Sequence, residues 1–184
     1  MMTDIIGIDP GKNGAIVWMD SDGIVLEKQP MPLVGKEFDL HQFSKLLDEI
    51  IWGKSIHVFI EQVHAIYGSA AGATFTFGEI YGAIKGIVSA KAIPYTLVQP
   101  KKWQKVIYQG IPEIRKPSIT ITKGKRAGQK QKGKLDTKAM SLLAAKRLFP
   151  NVDLRASERC KKPHDGIVDA LLITEYGRRT LLKT

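Results

Sequence analysis

Asp9 closes an apolar run, Ile5-Ile6-Gly7-Ile8, and Pro10-Gly11 turns the chain immediately after it. Glu61 closes a second such run, Ile56-His57-Val58-Phe59-Ile60. Asp165 and Asp169 lie four residues apart near the C-terminus, a spacing that puts both on one face of a helix. A carboxylate at the end of a buried strand is held rigidly and partly dehydrated, which costs free energy unless a cation or donor compensates it. Carboxylates brought side by side repel, so the grouping calls for a metal ion or a shared proton. The chain has a single cysteine and no histidine cluster, so the donors are oxygens. Oxygen donors prefer a hard cation such as Mg2+, with Mn2+ as substitute. Two such ions, about 3.5–4 Å apart, would activate a water and stabilise the leaving oxygen in phosphodiester hydrolysis.

The elements that would bring these acids together are legible from periodicity. Strands are expected at residues 5–9, 15–19 and 24–28, with a hairpin turn at Asp20-Ser21-Asp22-Gly23. Asp39 caps a helix whose apolar face is Leu40, Phe43, Leu46, Leu47, Ile50 and Ile51, and Gly53 ends it. If that helix is a crossover, the first strand and the strand ending on Glu61 run parallel as neighbours. Asp9 and Glu61 then share the carboxyl edge of the sheet, where open α/β sheets place their sites. A Gly- and Ala-rich segment with His64 and Tyr67 follows Glu61 and reads as a mobile substrate loop.

The next helix buries Phe77, Ile80, Tyr81, Ile84, Ile87 and Val88, while Gly78, Gly82, Gly86 and Ala90 form a stripe of small residues. Interior glycines cost helix stability, so the stripe implies close approach of another helix, in this chain or in a second subunit. Tyr95–Val98 is a fifth strand. Asp136 caps a helix with Met140, Leu143, Ala144 and Leu148 inward, and the last helix begins near Pro163.

The net charge of +10 implies an anionic partner. It is concentrated in two places. Lys101, Lys102 and Lys105 surround Trp103 on a short helix, which suits phosphate and base contacts; the alternative is a solvated helix with Trp103 tucked into the core. From Arg115 to Lys134 there is no acidic residue, and Arg115, Lys116, Lys123, Lys125, Arg126, Lys130, Lys132 and Lys134 alternate with Gly, Gln, Ser and Thr. These residues, with Lys12 beside the first acid and Tyr67 after the second, are the expected nucleic-acid contacts. The reading is one domain over residues 1–184 with a basic, flexible insertion at about 113–135. No apolar run is long enough to span a membrane, and no basic amphipathic helix suggests a membrane surface. The N-terminus has no signal-peptide pattern and the lone Cys160 fits a reducing compartment, so a cytoplasmic protein is expected, of a bacterial cell or of a phage acting in its host.

Gly7-Ile8-Asp9-Pro10-Gly11, Ile60-Glu61-Gln62 and the run His164-Asp165-Gly166-Ile167-Val168-Asp169-Ala170-Leu171 resemble, in this order, the motifs of RuvC-type Holliday junction resolvases of the ribonuclease H-like superfamily. The resemblance spans nearly the whole chain. It implies an α/β fold, with a five-stranded mixed sheet in the order 3-2-1-4-5 flanked by helices. It also implies a homodimer that cuts two strands of a four-way DNA junction symmetrically with a divalent metal. The family's first, second and last acids fall on Asp9, Glu61 and Asp169. Many members place an Asp or His three residues before the last acid, where this chain has Gly166; Asp165 is the expected substitute and His164 the fallback. The basic insertion is longer than in typical bacterial members and fits a phage or divergent version. Two competing functions keep the fold: a nuclease on flaps, forks or RNA, and a non-catalytic branched-DNA-binding protein. A sugar-kinase or actin-like ATPase fragment is a third, opposed by the Asp-Pro-Gly turn, the short chain and the basic insertion.

Overall fold

A computed structural model describes residues 2–63, 70–124 and 128–182. In chain order the strands are β1 (Thr3–Asp9), β2 (Ala15–Met19), β3 (Val25–Pro30), β4 (Leu33–Val34), β5 (Glu37–Phe38), β6 (Ser55–Glu61), β7 (Tyr95–Val98), β8 (Ile119–Thr120) and β9 (Lys130–Gln131). The helices are α1 (Leu40–Ile51), α2 (Ala71–Ala90), α3 (Pro100–Ile107), α4 (Thr137–Leu148) and α5 (Asp165–Leu181).

Five strands form the central sheet in the order β3-β2-β1-β6-β7. This is the expected 3-2-1-4-5 arrangement, because the short β4-β5 hairpin between Pro32 and α1 adds two strands to the count without entering the sheet. The first three strands are antiparallel, whereas β6 runs parallel to both β1 and β7. The α1 crossover makes the parallel pair. Its N-terminus is fixed by Asp39, whose side chain accepts from the Gln42 backbone N–H at 2.9 Å, and Gly53 turns the chain after it with φ +69°.

Side chains of the central strands alternate between two cores. Ile6, Ile8, Val58 and Ile60 point to α1 and α2, where Phe43, Leu47, Ile80 and Ile84 meet them. Ile5, Val17, Met19 and Phe59 point to the other face, against Ala170, Leu171 and Ile173 of α5 and Trp103 of α3. Gly7 lets α5 lie unusually close to β1: a Cβ there would come within 2.2 Å of Thr174 Oγ1 and 2.5 Å of the Ala170 carbonyl. Thr174 in turn donates to that carbonyl at 2.7 Å. This contact sets how far the N-terminal turn of α5 reaches over the end of β1.

Among the described residues, the glycine stripe of α2 has no intramolecular partner. A Cβ at Gly78, Gly82 or Gly86 would meet nothing within 4 Å, and Phe75 on the same face is 68% exposed. Of the two expected causes of the stripe, a neighbouring helix of the same chain is therefore ruled out among the described residues. The basic segment pairs with itself: β8 and β9 form a separate two-stranded antiparallel ribbon, and Arg115 bridges to Leu135 at its base.

Candidate active site

The parallel pairing of Ile8 with Ile60 brings Asp9 and Glu61 out side by side at the carboxyl ends of β1 and β6. The turn after Asp9 is tight: Gly14 N–H donates to Gly11 O at 3.0 Å, and Gly11 has φ +127°, open to glycine at little cost. The first turn of α5 rests on it. A Cβ at Gly166 would strike Asn13 O at 2.3 Å and Gly14 at 2.7–2.8 Å, so no side chain fits three residues before Asp169. The neighbouring position supplies the acid instead. Asp165 carries charge that acts on both Asp9 and Asp169. His164 serves as the N-cap, its Nδ1 accepting from the Ile167 N–H at 3.3 Å.

Electrostatics joins the four acids into one group. Burial pushes the Asp9 carboxyl well above its ordinary range, and the charges of Glu61, Asp169 and Asp165 push it further, against Lys138. Burial also raises Asp169, to about 6, although a hydrogen bond from Ser141 opposes the shift. Glu61 is raised by burial and by Asp169, and a hydrogen bond from Trp103 works the other way. Asp165 differs: its side chain is 62% exposed and accepts from Lys138 Nζ at 2.6 Å.

Three groups here were not anticipated in these roles. Trp103, for which contact with bases and burial in the core were both open, is buried at 1% exposed, and the unexpected part is that it donates its Nε1–H to Glu61 Oε1 at 2.8 Å. Tyr108 stands edge-on to Trp103 with ring centroids 5.9 Å apart, and its hydroxyl shares a 2.8 Å hydrogen bond with Ser141, the partner of Asp169. Thus α3 and α4 orient two of the acids from behind. Lys138 on the first turn of α4 is the third, and it belongs to no basic run in the sequence.

An open cleft of about 950 Å³ lies over Asp9, Asp165 and Asp169, walled by Gly72 and Phe77 of α2 and rimmed by Lys12, Lys138 and Lys162. Lys101, Lys102 and Lys105 are exposed on α3, and Arg115, Lys116, Lys123, Lys130, Lys132 and Lys134 are exposed along the ribbon. His64, Tyr67, Lys125 and Arg126 lie outside the described residues. The all-oxygen donors and their poorly compensated negative charge fit a hard divalent cation. As placed, no three acidic, His or Cys side chains among the described residues converge on one ion-binding point. Glu61 is drawn to Trp103 and Asp165 to Lys138, so ion binding would require these two side chains to turn inward.

No family model matches the chain, and no curated protein matches it. Solved structures do. A Thermus thermophilus RuvC in complex with a Holliday junction substrate superposes with a TM-score of 0.57 at 12% identity, covering 99% of this chain and 97% of that one. A second Thermus thermophilus RuvC structure gives a TM-score of 0.54 at 14% identity, covering 98% and 97%. The likeness runs end to end, and the fold is the ribonuclease H-like fold of RuvC.

Proposed function

We propose that this protein is a divalent-metal-dependent endonuclease that resolves four-way DNA junctions by symmetric phosphodiester hydrolysis. The observation that carries the reading is the grouping of acids from β1, β6 and α5 at the carboxyl edge of the sheet, with Asp9, Asp165 and Asp169 lining a cleft rimmed by lysines. An anionic centre alone repels a phosphate chain; a cationic rim alone has no means of cutting it. The two together suit a substrate whose phosphate is held by the rim and cut at the acids. A solved protein of the same fold holds a Holliday junction, which favours branched DNA as that substrate.

Asp9, Glu61 and Asp169, with Asp165, would hold Mg2+ or Mn2+, which when bound supplies an activated water and neutralises charge on the leaving oxygen. Trp103 and Ser141 orient Glu61 and Asp169 for that task. Lys12, Lys138 and Lys162 line the approach of the strand to be cut. Symmetric cutting requires two sites, and the open glycine stripe of α2 with Phe75 is the surface on which a second copy would pack.

The test uses labelled four-way junction, flap, fork and linear duplex, each with Mg2+ or EDTA. Paired, Mg2+-dependent nicks at symmetric positions in the junction are expected. Equal cutting of flap or fork would remove junction selectivity, and tight binding without cutting would identify a non-catalytic branched-DNA-binding protein.

A further inference from the structure

The ribbon at residues 115–135 has an ordered pairing without a core to hold it. Lys116 N–H donates to Lys134 O at 3.0 Å, Ile121 N–H to Gln129 O at 3.0 Å, and Asp136 N–H to Ile114 O at 2.8 Å. Yet of its described residues only Gly133 is buried and Ile121 half-buried, and none joins either hydrophobic core. A lone two-stranded hairpin is marginal in water and gains stability from packing on a partner. The partner's charge is indicated by the sequence: eight Lys and Arg and no Asp or Glu between Arg115 and Lys134.

The register shows what each face offers. Ile119 lies opposite Gln131, and Thr120 opposite Lys130. Side chains alternate along a strand, so one face carries Ile119 and Gln131 and the other Thr120 and Lys130. Ile119 is 61% exposed, an apolar side chain presented from a strongly basic arm. An apolar group beside an amide suits base edges, where the thymine methyl and the adenine N6/N7 pair lie together in the major groove. Size agrees, because the major groove, about 12 Å wide, admits a two-stranded ribbon. The ribbon also joins the body beside the site: Asp136 at its base caps α4, and Lys138 of that helix holds Asp165.

We infer that the ribbon seats in the major groove of a duplex arm, with Ile119 and Gln131 on the base edges and Lys130, Lys132 and Lys134 reaching the phosphate walls. The inference rests on the nucleic-acid reading above but not on catalysis, so it is tested by binding alone, in EDTA. Four-way junction and linear duplex are modified at guanine N7 by methylation, or carry uracil for thymine, and binding by wild type is compared with two variants. One replaces residues 117–133 by a short Gly-Ser turn. The other, Ile119→Ala with Gln131→Ala, keeps the ribbon, so a folding defect in the first does not decide the matter.

Major-groove methylation on one arm should weaken wild-type binding roughly tenfold. The shortened variant should lose that sensitivity, and the double variant should lose the sensitivity to the thymine methyl. Identical interference in all three proteins overturns the proposal. So does a shortened variant whose sedimentation mass changes while its groove interference does not, since the ribbon then docks on a second copy. Failure of wild type to bind any DNA overturns both this and the proposed function. Ribbon-dependent interference without cleavage in Mg2+ overturns the nuclease reading alone.

Discussion

The two ends of α5 treat a carboxylate withdrawn from solvent in opposite ways, Glu175 being buried and Asp169 half-buried. Near the C-terminal end, the Glu175 side chain is 5% exposed and is gripped by Arg178 Nε at 2.7 Å and Arg179 Nε at 2.6 Å. Near the N-terminal end, Asp169 and the neighbouring Asp9 have no ion pair among the described residues, and Lys138 spends its contact on Asp165. This fold supplies cations to a buried acid where the acid serves structure. Where it withholds them, burial and mutual repulsion raise the carboxyls, and the site is left short of positive charge. That shortage is the physical argument for an external cation.

The sharpest test exchanges charge for neutrality at each end. Asp9→Asn or Asp169→Asn should reduce cleavage of a four-way junction by roughly 10³-fold or more, the loss of several kcal/mol of charge stabilisation. Junction binding, measured in EDTA, should persist or tighten. The same replacements should stabilise the metal-free protein, on the order of 2 kcal/mol for Asp169. Glu175→Gln should do the reverse, lowering stability by about 2 kcal/mol because two arginines lose their partner, with little change in the specific activity of the folded protein. Denaturant unfolding and single-turnover cleavage read the two quantities separately. Stability changes of the same sign at both ends would break the contrast.

A pH series probes the same point without mutation. An unfolded Asp titrates near 3.9, whereas Asp169 in the folded protein titrates at about 6. Between those values the folded state holds more protons than the unfolded state, so this group's contribution to stability falls as pH rises through the window. Thermal melts in EDTA should therefore show wild type losing ground to Asp169→Asn from about pH 4 to pH 6, with a constant gap above. Mg2+ at pH 7 should close part of that gap. A gap that does not vary with pH would mean that Asp169 is not held above its usual range.

Removing a support should matter less than removing an acid. Trp103→Phe keeps the buried ring and deletes the donor to Glu61. One lost hydrogen bond to a carboxylate corresponds to roughly tenfold in kcat. KM for junction should not move, because Trp103 does not reach the surface. Loss of binding with kcat intact would return Trp103 to the role of a nucleic-acid contact.

The contrast between acids and supports also explains what the sequence disclosed. Asp9 and Glu61 were legible because each ends an apolar run, and the α1 pattern between them implied parallel neighbours. Asp169 was legible from the apolar residues that follow it on α5. The donors Trp103 and Ser141 were not, since their contacts depend on how α3 and α4 pack on α5, and packing leaves no periodic trace. Lys138 was hidden for the same reason. The ribbon was partly legible: Ile119-Thr120-Ile121-Thr122 is a β-branched run of strand type, outweighed by a basic, Gly-rich composition that reads as flexible. Open space beside the α2 glycines could be learned only from coordinates, because a stripe of small residues looks the same whether its partner lies inside the chain or beyond it.

Asp165 is where the smallest effect is expected, and it tests how far the argument from burial reaches. It lies one turn from Asp169 on the same helix, but both it and Lys138 are largely exposed, at 62% and 72%. An exposed pair is worth about 0–1 kcal/mol, so Asp165→Asn should leave the melting temperature nearly unchanged. Its negative charge still bears on Asp9 and Asp169, so its loss should lower cleavage, but far less than Asp169→Asn does; a several-fold fall is expected, in line with a partly screened charge. The same substitution frees Lys138 to face the cleft, which should tighten junction binding in EDTA. If Asp165→Asn instead abolishes cutting as fully as Asp169→Asn, then Asp165 is an equal partner in holding the cation, and its contact with Lys138 is a resting arrangement that the bound ion displaces.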